Sequence, residues 1–179
     1  MKIHLVDGTY ELFSVPLAGG TAHLISHDRK IDSYLDIGNY RISADSQWVV
    51  FFARDEIYPN GDELCSVPMD GSALYILTGV VERPGEYETW RINPNSQTVE
   101  FLSDYVDTEV MNLIQAPITR DYYQWWNQLN GWLVEEGDVT SFTYHPGGNY
   151  VVYKADQEVD EKYELFVTFD GIFLPMVRR

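Results

Sequence analysis

Apolar and polar positions alternate along this chain in strand-length runs, and Gly, Pro, Asn, Asp and Ser punctuate them. Alternation of period two, bounded by such residues, predicts β-strands joined by tight turns. One pattern recurs without gaps: Tyr40-Arg-Ile-Ser-Ala-Asp-Ser-Gln-Trp-Val-Val-Phe-Phe52, Trp90-Arg-Ile-Asn-Pro-Asn-Ser-Gln-Thr-Val-Glu-Phe-Leu102 and Phe142-Thr-Tyr-His-Pro-Gly-Gly-Asn-Tyr-Val-Val-Tyr-Lys154. Each copy reads as a strand, a short polar turn and a second strand rich in β-branched and aromatic residues, which predicts a hairpin. In the third copy Pro146 presets the first central turn position, and Gly147 and Gly148 are expected to supply positive φ.

A second element keeps step with the first. Tyr10-Glu-Leu-Phe-Ser-Val-Pro-Leu-Ala-Gly19 returns as Asp62-Glu-Leu-Cys-Ser-Val-Pro-Met-Asp-Gly71, and its opening returns as Tyr163-Glu-Leu-Phe166. Gly19-Gly20, Asp70-Gly71 and Asp170-Gly171 then read as hairpin turns into a further short apolar strand. The third unit fits worst, since Glu109-Val-Met-Asn-Leu-Ile-Gln115 lacks the Asp-Gly that should follow. Four antiparallel strands in about 45 residues, repeated in tandem, predict the blade of a β-propeller. The expected fold is therefore all-β: a propeller-like array of about four four-stranded blades, in a single repeat domain over residues 1–179, with blades near 1–30, 35–80, 85–134 and 137–179.

The hairpin followed by the Glu-Leu strand and Asp-Gly turn resembles the TolB-like, or PD40, propeller repeat. That family's pattern runs roughly Phe-Ser-Pro-Asp-Gly-Lys, an apolar strand, an acidic loop, Leu-Tyr-Val and Asp-Gly-Gly. Ser43-Ala-Asp-Ser46, Asn93-Pro-Asn-Ser96 and His145-Pro-Gly-Gly148 each keep part of the turn, and no copy carries all of it. The resemblance covers nearly the whole chain apart from residues near 116 to 135, and it implies a blade type without implying an activity. TolB-like proteins are commonly periplasmic, which the resemblance implies here if a signal has been removed.

Lys2-Ile-His-Leu-Val6 matches the second strand of a blade, so the first blade is expected to lack its opening strand. Three outcomes follow: a four-bladed ring, an open arc, or a chain completed by a partner. An exposed strand edge invites pairing, so association with a protein partner or a second copy is the expectation.

Composition narrows location and partners. The 179 residues, 45% apolar and 15% aromatic, supply enough material for a sizeable core. The longest apolar runs fall well short of the roughly 20 residues that span a bilayer, which argues against membrane insertion. The N-terminus shows no signal-peptide pattern, so the residues favour the cytoplasm if the chain is complete. With 12 basic residues against 28 acidic ones and a net charge of −16, the chain is a poor ligand for nucleic acid. The acids are dispersed through loops and read first as a solvated surface, with attraction of a basic protein or cation as the sharper reading. Cys65, the only cysteine, stands where Phe13 and Phe166 stand in sister repeats and is expected to be a buried strand residue.

One segment departs from the repeat. Ala116-Pro-Ile-Thr-Arg-Asp-Tyr-Tyr-Gln-Trp-Trp-Asn-Gln-Leu-Asn-Gly-Trp132 holds three of the five tryptophans, with Glu135, Glu136 and Asp138 just beyond. Tyr122, Tyr123, Trp125, Trp126 and Trp132 with those acids are the candidate ligand- or partner-binding residues, able to stack a sugar ring, hold a cation or anchor a protein. The alternative is a short helical turn from Asp121 to Leu129 that buries its rings against the blades.

Other chemistry is thin. Among His4, His23, His27 and His145 only His23 and His27 are close, four apart at a strand end, and no metal or cofactor is expected. Asp55-Glu56, Asp104 with Asp107, and Asp156 to Asp160 are read as the same loop in successive blades, as turn chemistry before calcium ligation. Serine nucleophile elbows, phosphate loops and Cys-x-x-Cys pairs are absent, so no catalytic residue is named. The leading reading is a non-enzymatic interaction module. The alternative is a carbohydrate-binding or glycan-processing protein that uses the aromatic and acidic residues of 121–138.

Overall fold

The computed structural model describes residues 2–4, 10–26, 36–54, 62–78, 90–107, 110–121, 125–169 and 172–175. The repeats fold as read. β1 (Lys2–His4), β2 (Tyr10–Ser14) and β3 (His23–Leu24) form a three-stranded antiparallel sheet. β4 (Asp36–Ile42), β5 (Trp48–Arg54), β6 (Asp62–Pro68) and β7 (Tyr75–Ile76) form a four-stranded one. β8 (Trp90–Ile92), β9 (Thr98–Asp107), β10 (Val110–Pro117) and β11 (Asn127–Gln128) form the third sheet. β12 (Val139–Tyr144), β13 (Val151–Ala155), β14 (Glu164–Phe169) and β15 (Ile172–Pro175) form the fourth. Every neighbouring pair is antiparallel and consecutive in sequence, so each sheet is a propeller-type blade, and the first has three strands among the described residues.

The hairpin turns show why these sequences reverse where they do. Ser46, Ser96 and Gly148 each donate an N–H to the residue three before, at 2.8–2.9 Å, and each has a positive φ of 60° to 69°. The first residue of each turn also accepts from the N–H two residues on or from the returning strand. Asn93 Oδ1 accepts from Asn95 N at 3.0 Å, His145 Nδ1 from Gly147 N at 3.2 Å and Ser43 Oγ from Trp48 N at 3.0 Å. A polar side chain that mimics a turn carbonyl explains the Ser, Asn and His at this position. Gly148 alone of the two glycines takes positive φ, so the expectation for Gly147 is corrected: the turn needs one left-handed residue, its last.

A further repeat was not read from the sequence. The N–H of a leucine in the third strand donates to a side-chain oxygen just past the fourth: Leu12 to Ser26 at 3.0 Å, Leu64 to Thr78 at 2.8 Å and Leu113 to Asn130 at 2.8 Å. The same leucine's carbonyl accepts from Ile25, Leu77 and Leu129 respectively. Strands of two residues cannot satisfy a buried ladder alone, and the side chain completes it.

Contacts divide the chain into two compact units, Met1–Gly85 with Ile118–Gln124 and Glu86–Pro117 with Trp125–Arg179. In unit 1 Leu12 and Ile25 pack against Val49, Phe51, Ala53, Cys65, Val67 and Ile76. Gly71, with φ at 70°, turns so close to this seam that a Cβ there would lie 2.8 Å from the Leu24 carbonyl oxygen. In unit 2 Leu113 packs against Val139, Phe142, Val151, Tyr153, Ala155 and Phe166. The Tyr153 and Phe166 rings stack at 5.4 Å. Alternate residues of the second strand thus face the neighbouring blade of the same unit, Val49, Phe51 and Ala53 in β5 and Val151, Tyr153 and Ala155 in β13, and residues 48–53 are apolar before Arg54 ends β5. Each fully buried side chain of this size contributes roughly 1.5–3 kcal/mol. Cys65, the only cysteine of the chain, is buried in β6, as expected.

Two loop readings change. Asp104 and Asp107 lie within the ten-residue β9, not in a loop, because β9 continues past its ladder with β8 and stays paired with β10 as far as Asp107 opposite Val110. Asp156 to Asp160 do occupy a loop, between β13 and β14. Asp55-Glu56 and His27 lie outside the described residues.

Candidate functional site

The aromatic segment is less of an insertion than its sequence suggests. Leu113 and Asn130 are 17 residues apart where the Leu12–Ser26 and Leu64–Thr78 pairs are 14 apart, so the third blade is longer by three residues at this connection. The segment forms the ordinary fourth strand: Asn127 and Gln128 of β11 pair with Gln115 and Ile114. The helical turn expected from Asp121 to Leu129 is therefore corrected over its described part. Edge pairing to β10, together with the Asn130 side chain on Leu113 N–H, outweighs any helical preference. Residues 118–121 lie on the second blade within unit 1. There Ser66 Oγ donates to the Ile118 carbonyl at 2.6 Å and Asp121 Oδ1 accepts from Ile76 N at 2.8 Å.

The expected site residues that are described all fall in unit 2. Trp125 is 53% exposed, Trp126 37% and Trp132 95%. Glu135 and Glu136 are exposed in a turn that Gly137 N closes on the Val134 carbonyl at 3.0 Å. Asp138 is engaged in the backbone: its Oδ1 accepts from Met111 N at 2.6 Å, and its own N–H donates to Asp156 Oδ1 at 2.5 Å. Tyr122 and Tyr123 lie outside the described residues. Among the described residues no group of His, Cys, Asp and Glu is placed to hold a metal ion.

A second exposed feature follows from the repeat itself. Leu12, Leu64 and Leu113 are 2%, 0% and 0% exposed, whereas Leu165, in the same place in β14, is 51% exposed. Tyr163 beside it is 41% exposed and carries Lys154 Nζ 4.7 Å from its ring centroid. A leucine position that three blades bury is open on the fourth.

Inside unit 2 lies a cluster that sequence reasoning passed over. Glu100 stands in β9 where sister repeats carry Val50 and Val152, and it is fully buried. Its Oε1 accepts from Thr98 Oγ1 and from Gln115 Nε2, each at 2.7 Å. Its Oε2 meets the hydroxyl of Tyr144 from β12, and that hydroxyl also lies 2.9 Å from the Arg91 carbonyl oxygen of β8. Burial pushes the Glu100 carboxyl above its ordinary range, against the pull of hydrogen bonds from Tyr144, Gln115, Thr98 and Asn93. Burial, and then the charge of Glu100, push the Tyr144 hydroxyl up. A carboxyl with no solvent access is an internal joint between strands of two blades. The available signal was a glutamate at a valine position of an otherwise regular repeat.

No protein-family model and no curated protein matches the chain. Solved structures do. A structure assigned to TolB from Agrobacterium tumefaciens matches with a TM-score of 0.53 and 14% identity, over 98% of this chain and 59% of that one. The β-propeller domain of the trilobed protease from Pyrococcus furiosus, described as having an open velcro topology, matches with a TM-score of 0.59 and 10% identity, over 99% and 52%. Porphyromonas gingivalis dipeptidyl peptidase 4 matches with a TM-score of 0.68 and 10% identity, over 96% and 24%. At these identities the likeness shows the fold alone, and it is that of a β-propeller. The chain spans less than two thirds of the length of each of these structures. No helix among the described residues is long and apolar enough to cross a membrane.

Proposed function

We propose that this chain is a non-enzymatic β-propeller-type interaction module, with blades of the TolB-like kind, that binds a protein partner or a second copy of itself. The observation that carries this reading is Leu165, 51% exposed at a position buried in the three other blades. An apolar residue that the repeat normally covers with protein marks a surface suited to more protein. The exposed Trp125, Trp126 and Trp132 add aromatic anchors of the kind enriched at interfaces. Light scattering at high micromolar concentration tests it. The wild type is expected to self-associate and Leu165→Lys to run as a monomer, and a monodisperse wild-type monomer speaks against the self-association.

Carbohydrate binding is the second reading, favoured by Trp132 at 95% exposure beside the exposed Glu135 and Glu136. Asp138 serves it poorly, since its carboxylate already holds Met111 N–H. A glycan screen read by tryptophan fluorescence separates the two. A saturable change lost in Trp132→Ala supports the sugar reading, and a flat response removes it.

A further inference from the structure

Glu100 and Tyr144 pose a question of proton count. The Tyr144 hydroxyl has one hydrogen and two oxygen neighbours, the Arg91 carbonyl at 2.9 Å and Glu100 Oε2. A carbonyl oxygen can only accept, so the Tyr144 hydrogen goes to Arg91, or else two oxygens face each other with nothing between them. If Tyr144 donates to Arg91, the hydrogen between Tyr144 and Glu100 must come from Glu100. The other carboxyl oxygen is compatible with this assignment, for Oε1 accepts from both Thr98 and Gln115, as an oxygen of either protonation state can. The Thr98, Gln115 and Asn93 bonds suit either state of the carboxyl, and it is the pair of Tyr144 contacts, to Arg91 and to Glu100, that a protonated Glu100 supplies with a hydrogen each.

We propose that Glu100 is held as a neutral carboxylic acid near neutral pH, and that its proton joins the third blade to the fourth, so that this joint loosens as the solution becomes alkaline. The chain of donation runs Glu100 Oε2–H to Tyr144 Oη, then Tyr144 O–H to the Arg91 carbonyl, and ties β9 to β12 and β8. Among the described residues, Tyr144 on β12 and Arg91 on β8 are the ionisable groups that face it; β9 and β10 offer the neutral Thr98 and Gln115, and the turn after β8 offers the neutral Asn93. Arg91, opposite Glu100 in the ladder, is exposed and acts on Tyr144, so among the described residues no buried cation neutralises a Glu100 carboxylate. Burial favours the uncharged form in the same sense.

The pH dependence follows in sign. The ordinary glutamate value is 4.5 and that of the folded chain is higher, so the folded state binds more protons between the two. The joint's contribution is complete below the ordinary value and is lost as pH rises through the folded one. Glu100→Gln keeps the donor and acceptor pattern of the neutral acid and removes the titration.

Two measurements on the full chain test this. With isotope-labelled glutamate, infrared absorption at neutral pH is expected to show a protonated-carboxyl C=O band that vanishes in Glu100→Gln and shifts in Tyr144→Phe. Urea unfolding over about pH 5 to pH 9 is expected to show the wild type losing stability relative to Glu100→Gln, by up to about tenfold in the unfolding constant per pH unit. Absence of the band, or a wild type that gains on Glu100→Gln as pH rises, overturns the proposal. Should Glu100→Gln fail to fold, the wild-type band and its shift in Tyr144→Phe decide alone.

Discussion

The side-chain amide of Asn93 donates to the Gly148 carbonyl at 3.3 Å, and a Cβ placed on Gly148 would overlap Asn93 Oδ1 and lie 3.2 Å from Asn95 N. Two hairpin turns, one from each blade of unit 2, are thus pressed together with room for glycine alone. Ser96 takes the same positive φ in the third blade, so conformation by itself tolerates a side chain there. Gly148→Ala is expected to cost about 2–4 kcal/mol, from backbone strain and the displaced Asn93 turn. Gly19→Ala, at φ 85° with open space around it, is expected to cost about 1 kcal/mol. Urea midpoints at constant slope measure the difference.

The leucine clamps predict a graded series. Thr78→Val keeps the shape and removes the acceptor of the Leu64 N–H, for a cost of about 1–3 kcal/mol. Thr78→Ser is expected to retain most of the stability. Asn130→Ala should cost more than Thr78→Val, because Asn130 also donates to Asn112 Oδ1 at 3.0 Å and to the Gly131 carbonyl at 2.9 Å. An equal loss in all three variants contradicts the clamp.

Leu113 and Leu165 occupy one repeat position in opposite surroundings. Leu113→Ala is expected to cost about 2–5 kcal/mol, as for a core leucine. Leu165→Ala in the dilute chain should stay within about 1 kcal/mol. Thermal or urea unfolding at low concentration, where association is negligible, gives both values.

Burial pushes the Tyr153 hydroxyl up to about 12 from an ordinary value of 10.0. Its hydroxyl donates to Gln157 Oε1 at 2.7 Å and accepts from Gly131 N at 3.4 Å. The stability tied to its protonated form is complete below pH 10.0 and is lost as pH rises towards 12. Tyr153→Phe is expected to flatten the alkaline limb of a stability–pH curve over that window. An unchanged limb contradicts the shift.

Much of the fold was legible because the blade writes itself in local chemistry. Alternation, turn residues at fixed offsets and the returning Glu-Leu strand place four strands per period, and the strands lie where that pattern sets them. The candidate site was legible only in part. Trp125, Trp126 and Trp132 were visible as a cluster of large aromatics, yet a run of aromatic side chains does not say whether it is buried or bare. The third-blade strand at Asn127–Gln128 was hidden because two residues carry no period; it exists through its pairing with β10 and the Asn130 clamp.

By itself the sequence determined the blade, its strand order and the hairpin turns, since these depend on side-chain alternation and on φ preferences a few residues apart. The tertiary structure alone decided which repeat positions are covered. Leu165 and Leu12 share the sequence Tyr-Glu-Leu-Phe, and only the presence or absence of packed neighbours separates them. It also decided the state of Glu100. A glutamate in a strand is ordinarily a solvated anion, and it becomes the acid of a buried joint only where Thr98, Gln115 and Tyr144 converge from three strands and exclude water.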